Sequence, residues 1–157
     1  MVLNTAFRVL GDAQSAQDVH QEVFLAIWQR WANLDRKVSW PGYLYRTTVR
    51  KAIDMIRKNK RWPDSLEGLE RSPQASNQRP HQILVARELQ ERLRGCIAQL
   101  PERQAHVFVL SKLEGLKHAE IAACLDCSEG TVRVHLHRAL QRLSELMKDY
   151  MEEEADS

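Results

Sequence analysis

Apolar residues recur along this chain with a helical period, and alternating Val/Ile/Thr runs of strand type are absent. Residues 2–10 form a short apolar piece that Gly11-Asp12 stops. Val19, Val23, Ile27, Trp31 and Leu34 follow at spacings of 4, 4, 4 and 3, which predicts an amphipathic helix over residues 16–34 with that stripe buried. Pro41 suits the first turn of another helix, from about Trp40 to about Lys60, with Tyr45, Val49, Ile53 and Ile56 on one side. Residues 65–80 then turn to Ser, Gln, Asn, Pro and Gly, a composition too polar to order itself. Periodicity resumes at Gln82 with Ile83, Ala86, Leu93, Ile97 and Leu100, interrupted at Gln90. Pro101 opens a helix to about Lys112, Gly115 ends it, and His118–Leu125 and Glu129–Met147 are predicted as a short and a longer helix. The expected fold is all-α, with two small helical domains, residues 1–62 and 82–148, a flexible linker over 63–81 and an acidic tail over 149–157.

Charge sharpens this division. The net charge of +2 conceals −2 over residues 1–35, +8 over 36–62, 0 over 63–94, +1 over 95–148 and −5 over 149–157. A concentrated cationic block on a nearly neutral chain points to a polyanion partner. With 157 residues the chain can bury one ordinary core or two small ones, which excludes a large multidomain enzyme. No run approaches the roughly 18 apolar residues of a membrane span. Asn4, Thr5 and Arg8 interrupt the opening stretch, so it is not read as a signal peptide, and a cytoplasmic protein is expected. The three cysteines, Cys96, Cys124 and Cys127, fit reduced thiols there.

The segment from His118 to Leu140 follows helix-turn-helix grammar. Ile121, Leu125, Cys127 and Val132 fall where two crossed helices meet, and Ala122 lets their backbones approach. Ser128 is placed to cap the last helix by accepting the Thr131 N–H, and Asp126 takes the turn position that favours a left-handed residue. On that helix Val132, Leu136, Ala139, Leu140 and Leu143 cluster inward, while Gly130, Thr131, Val134, His137, Arg138 and Gln141 face away, flanked by Arg133. Such an outer face suits a major groove, and equally a plain helical hairpin with a solvated face.

A second constellation is the basic helix. Arg46, Arg50, Asp54 and Arg57 share one face, with Lys58, Lys60 and Arg61 at its end and Trp40, Tyr43, Tyr45 and Trp62 around it. Asp54 is placed to pair with Arg50 and Lys58. Cations that neutralise phosphate beside aromatic faces that stack on bases describe a binder of single-stranded or melted DNA; nine cations against one acid over residues 36–62 weaken the alternative of a solvated, ion-paired helix.

Three stretches together, DVHQEVFLAIW (18–28), WPGYLYRTTVRKAIDMIRK (40–58) and LPERQAHVFVLSKLEGLKHAEIAACLDCSEGTVRVHLHRAL (100–140), resemble regions 2 and 4 of bacterial RNA polymerase sigma factors. The compact arrangement is similar to that of the extracytoplasmic-function group. The resemblance implies a non-enzymatic initiation factor, without cofactor or metal, acting at the nucleoid within the holoenzyme. It implies that Asp18, Gln21, Glu22, Phe24 and Trp28 dock on the clamp helices of the polymerase largest subunit, with Phe24 and Trp28 equally suited to a core. Trp40, Tyr43, Arg46, Arg50, Asp54, Arg57, Lys58 and Arg61 would capture and melt the minus-10 element. Ser128, Thr131, Arg133, Val134, His137, Arg138 and Gln141 would read the minus-35 element, with the polymerase flap and an anti-sigma factor as further partners.

The chain departs from the family pattern at several positions. Tyr43 stands where Trp is usual and Arg50 where Asn is usual; Val134, His135 and Ala105 replace Ser, Arg and Arg. The family's first helix also begins earlier. Two other functions stay open at this point: a dimeric helix-turn-helix regulator that acts without polymerase, and a sigma-like protein that only sequesters polymerase or an anti-sigma factor. Cys124 and Cys127 resemble half a zinc site, but Cys127 falls on an inward position and no second ligand pair stands at a standard spacing. The histidines, glycines and carboxylates form no catalytic arrangement, and the acidic tail reads as a solvated terminus or a nucleic-acid mimic.

Overall fold

The computed structural model describes residues 1–35, 39–61 and 80–156. Seven α-helices follow in order among them: α1 Val2–Leu10, α2 Ala13–Arg30, α3 Trp40–Arg61, α4 Pro80–Gln99, α5 Glu102–Phe108, α6 His118–Leu125 and α7 Glu129–Ala155. Most of the expected linker lies outside the described residues, while Pro80 and His81 already belong to α4. Among the described residues no helix is long and apolar enough to cross a membrane.

Local rules account for the N-terminal unit. Gly11 ends α1 in the left-handed region at φ 68°, and its N–H donates to the Phe7 carbonyl. Asp12 then caps α2 by accepting the Ser15 N–H at 2.8 Å. Val2, Ala6, Ala16, Val19, Val23 and Ile27 form a core, closed by Leu34, Tyr43, Leu44 and Met55. The expected stripe is buried only as far as Ile27. Trp31 begins a separate 3-10 turn, Trp31–Asn33, and stands 64% exposed, because the change of helical pitch rotates it off the stripe.

In the C-terminal unit α4 packs on α7, and Cys96 and Ile97 near its end share a core with α5, α6 and α7. A π-helical turn, Val109–Leu113, continues α5, and the chain reverses at Gly115, φ 70°. Two expectations are corrected here. Leu140 is 41% exposed rather than inward, and α7 runs past Met147 to Ala155, carrying most of the acidic tail as helix. The extension has anchors: the Arg92 guanidinium lies 3.9 Å from the centre of the Tyr150 ring, and Lys148 pairs with Glu152 at 4.0 Å.

One feature was not legible in the periodicity. Val9, Val49, Ala52 and Ile53 belong to the same apolar core as Ile97, Leu100, Leu110, Ile121 and Val132, so α3 is covered by the C-terminal unit. Full burial of a Val or Ile side chain stabilises by about 1.5–3 kcal/mol, which makes the apolar stripe of α3 the main adhesive between the units. Gly42 shows how close they come: a Cβ there would stand 3.0 Å from the Cys124 Cα.

Candidate polymerase and promoter interfaces

With Val19, Val23 and Ile27 turned inward, the opposite side of α2 is left to solvent. Asp18, Gln21 and Glu22 are exposed there, and so are Phe24 at 47% and Trp28 at 79%, which places both aromatics outside the core. Leu25 and Trp31, 56% and 64% exposed, extend this apolar face. Trp31 lies 5.9 Å from Trp40 between ring centres, and Trp40 lies 6.1 Å from Tyr43 edge to face. Glu22 reaches Lys51 at 3.7 Å, linking the acidic edge of α2 to α3.

The cations of α3 meet the C-terminal unit. Arg46 Nη1 donates to the Cys124 carbonyl at 2.6 Å, at the end of α6. Arg57 donates to the Ala98 carbonyl at 2.9 Å and to the Leu100 carbonyl at 3.3 Å, at the end of α4. Helix C-termini carry unsatisfied carbonyls and partial negative charge, so a guanidinium is a favourable cap for each. Arg50 reaches Glu102 at 3.3 Å, and Asp54 pairs with Arg57 at 3.8 Å, in place of the Asp54–Arg50 and Asp54–Lys58 pairs expected from spacing. Trp40 is 42% exposed, Tyr43 is partly buried and Lys58 is exposed. Arg61 is the last residue of α3, and Trp62 lies outside the described residues.

Between the two units an open cleft of about 370 Å³ is lined by Arg50, Ile53, Asp54, Arg57, Glu102 and His106. His106 is 4% exposed, and its Nε2 lacks a hydrogen-bond partner. Burial pushes its pKa down to about 4; Glu102 opposes the shift, while Arg50, Arg103 and Arg46 add to it.

The helix-turn-helix forms as the spacing predicts. Asp126 adopts φ 53° after α6, and Arg103 donates to the Leu125 carbonyl at 2.9 Å. Ser128 Oγ accepts the Thr131 N–H at 3.1 Å and starts α7. Ser128, Thr131, Arg133, Val134, His137, Arg138 and Gln141 are all exposed. His135 is partly buried, and burial lowers its pKa, with Arg138 and Arg103 adding to the effect. Cys124 packs in the core and Cys127 against it, as small apolar groups.

The sequence matches two family models, Sigma-70 region 2 over residues 1–62 and Sigma-70 region 4 over residues 90–143. It is 32% identical over 144 residues to the RNA polymerase sigma-E factor of Streptomyces coelicolor, covering 92% of this chain and 78% of that protein. The chain belongs to the extracytoplasmic-function group of RNA polymerase sigma factors. Other relatives include the ECF RNA polymerase sigma factor SigE of Mycolicibacterium smegmatis, 32% identical over 99% of this chain and 61% of its own length. ECF sigma factor SigW of Bacillus subtilis is 29% identical over 94% of this chain and 83% of its own. Two solved structures share the fold. The sigma factor RpoE in complex with the anti-sigma factor NepR from Bartonella quintana has TM-score 0.50 and 18% identity, covering 94% of this chain and 89% of that one. CnrH in complex with the cytosolic domain of CnrY has TM-score 0.55 and 24% identity, covering 94% and 81%.

In this sigma factor region 2 comprises α1–α3 and region 4 begins within α4. Members of the family are non-enzymatic initiation factors. Sequence reasoning missed Leu25, which extends the exposed face beside Trp28, and Glu102, which holds Arg50. Leu25 lies three residues before Trp28, off the buried stripe, so the helical projection could have found it. No local signal identifies Glu102, because its partner is 52 residues away.

Proposed function

We propose that this sigma factor binds core RNA polymerase and directs it to promoters, with the catalytic chemistry left to the polymerase. The outer face of α2 docks on the clamp helices: Asp18, Gln21 and Glu22 meet basic groups while Phe24 and Trp28 bury against them. Trp40, Tyr43, Arg46, Arg50, Asp54, Arg57, Lys58 and Arg61 capture the melted minus-10 strand by phosphate neutralisation and base stacking. Ser128, Thr131, Arg133, Val134, His137, Arg138 and Gln141 read the minus-35 element in the major groove, while region 4 rests on the flap.

The observation that carries this reading is the outward, acid-edged aromatic face of α2 in a chain that also holds a capped, solvent-facing helix-turn-helix reader. The solved sigma factor RpoE, which shares this fold, is bound to the anti-sigma factor NepR, and a partner of that class is proposed here too.

Run-off transcription with core polymerase on a promoter library tests the assignment. Specific transcripts are expected, and core binding without initiation would favour the sequestering alternative. Tight duplex binding by the free protein would favour a stand-alone regulator. Asp18→Lys with Glu22→Lys should weaken core association at least about tenfold by placing like charges at the dock. Unchanged affinity in a core-binding titration would remove α2 as the docking face.

A further inference from the structure

We infer that the cleft between α3 and α5 is a binding site for a small phosphate monoester, with the phosphate oxygens held by Arg50, Arg57 and His106 Nε2. Its walls are Arg50, Ile53, Asp54 and Arg57 from α3 and Glu102 and His106 from α5, around about 370 Å³. That volume is the size of a small-metabolite site. The inference goes beyond the promoter reading and does not depend on it, because no nucleic acid is needed to fill the cleft.

Positive charge gathers here and is only partly offset. Arg57 lines the cleft, and Arg46, Arg50 and Arg103 all lie close enough to act on His106. Arg46, Arg57 and Arg103 donate to main-chain carbonyls, those of Cys124, Ala98 and Leu125, which orient the guanidiniums without cancelling their charge. Against these four cations stand two carboxylates, Asp54 beside Arg57 at 3.8 Å and Glu102 beside Arg50 at 3.3 Å. Arg50 and Arg57 are exposed, so a ligand can reach both from solvent. A cleft with an excess of one sign concentrates ligands of the other.

The Glu102 carboxylate marks where an oxyanion sits. Its Oε1 lies 3.3 Å from Arg50 Nε and 4.0 Å from His106 Nε2. Charge-assisted bonds are typically about 2.7–2.9 Å, so neither donor is well satisfied. His106 is buried and its Nε2 lacks a hydrogen-bond partner, a state that buried polar groups rarely keep. Burial holds the imidazole neutral near pH 7, with a pKa of about 4, so one ring nitrogen carries a proton to donate. Glu102 is exposed and free to turn into solvent, which leaves Arg50 and the His106 N–H to a phosphate oxygen. A monoester presents three unsubstituted oxygens on one side and enters such a cleft end-on, whereas a backbone phosphodiester carries a chain on either side. The buried Ile53 gives the ester carbon an apolar wall.

Titration calorimetry on the full chain at constant ionic strength tests the site, with ribose 5-phosphate as probe, ribose as its uncharged control and an unphosphorylated single-stranded oligonucleotide in a separate arm. Saturable one-to-one binding of ribose 5-phosphate is expected, and none of ribose. Glu102→Gln removes the competing carboxylate from an exposed position and should tighten the probe about fivefold, while Glu153→Gln, the same charge change on exposed α7, should leave it unaltered. His106→Phe removes the Nε2 donor and should weaken the probe about tenfold. If that variant does not fold, the tightening in Glu102→Gln decides the question. Oligonucleotide affinity should not respond to His106→Phe. Absence of saturable ribose 5-phosphate binding, or binding that Glu102→Gln alters no more than Glu153→Gln does, overturns the site. A loss of oligonucleotide affinity in His106→Phe with ribose 5-phosphate binding intact assigns the seat to the DNA backbone and overturns the monoester.

Discussion

On α3 the cations lie against another part of the same chain: Arg46 on the end of α6, Arg57 on the end of α4, Arg50 on Glu102. On α7 Arg133, His137 and Arg138 point into solvent from a helix whose inner face carries Val132 and Ala139 into the core. Both faces read as DNA-binding in the sequence, and on only one of them does the fold engage the cations with distant parts of the chain. The difference lies in what stands opposite. A helix lying across the C-terminal ends of two others meets unpaired carbonyls that attract guanidiniums, whereas the outer face of a terminal reader helix meets water. Charge density along a sequence therefore identifies a candidate partner but not which of the cations the fold itself engages.

The largest expected effect breaks the comparison at the shared core. Leu100 is 1% exposed and lies in the same cluster as Val49 and Ile53, so Leu100→Ala should cost about 2–5 kcal/mol. All four tryptophans, Trp28, Trp31, Trp40 and Trp62, lie in the first 62 residues. Tryptophan fluorescence thus reports the N-terminal unit alone, and its unfolding midpoint should fall with Leu100→Ala. A midpoint unchanged from wild type would mean that the two units fold independently.

Next comes acid. His106 has its pKa lowered from 6.5 to about 4, so the unfolded chain binds the proton more readily than the folded one. The stability this group contributes is fully present above pH 6.5 and is lost as pH falls toward 4. Between pH 7 and pH 5 the loss is about 2 kcal/mol. Urea denaturation of wild type and His106→Gln at both pH values should show the variant losing less, and parallel losses would exclude His106 as the source.

Arg57→Ala set beside Arg138→Ala sharpens the contrast directly. Arg57 bridges two carbonyls and should cost about 1–2 kcal/mol of stability, whereas Arg138 is exposed and should change it by under about 0.5 kcal/mol. In promoter assays the Arg57 variant should impair open-complex formation and the Arg138 variant duplex binding. Matching stability losses for the two would erase the distinction drawn between α3 and α7. Ser128→Ala removes the cap on the Thr131 N–H and should cost about 1 kcal/mol in thermal unfolding, with weaker duplex binding. Full stability in that variant would show that the cap is not needed to start α7.

The sequence alone determined the helices and their inner stripes, because caps, turns and amphipathic spacing act within a few residues. Gly11, lacking a side chain, turns left-handed, Asp12, Asp126 and Ser128 do what their side chains allow, and Val19, Val23 and Ile27 turn inward as their spacing requires. It also singled out both cationic faces and, through three ordered motifs, the family. It misjudged Trp31, Leu140 and the end of α7, where a 3-10 turn, a site on the edge of the buried stripe and a contact with Tyr150 override the local pattern. Tertiary structure alone decided which units share a core and which cations are bonded to distant parts of the chain. Arg50 meets a partner 52 residues away and Arg46 one 78 residues away, and no local periodicity encodes such a separation. The apolar stripe of α3 needed a surface to bury it. Once region 4 supplied that surface, its helix ends came within reach of the arginines on either side of the stripe.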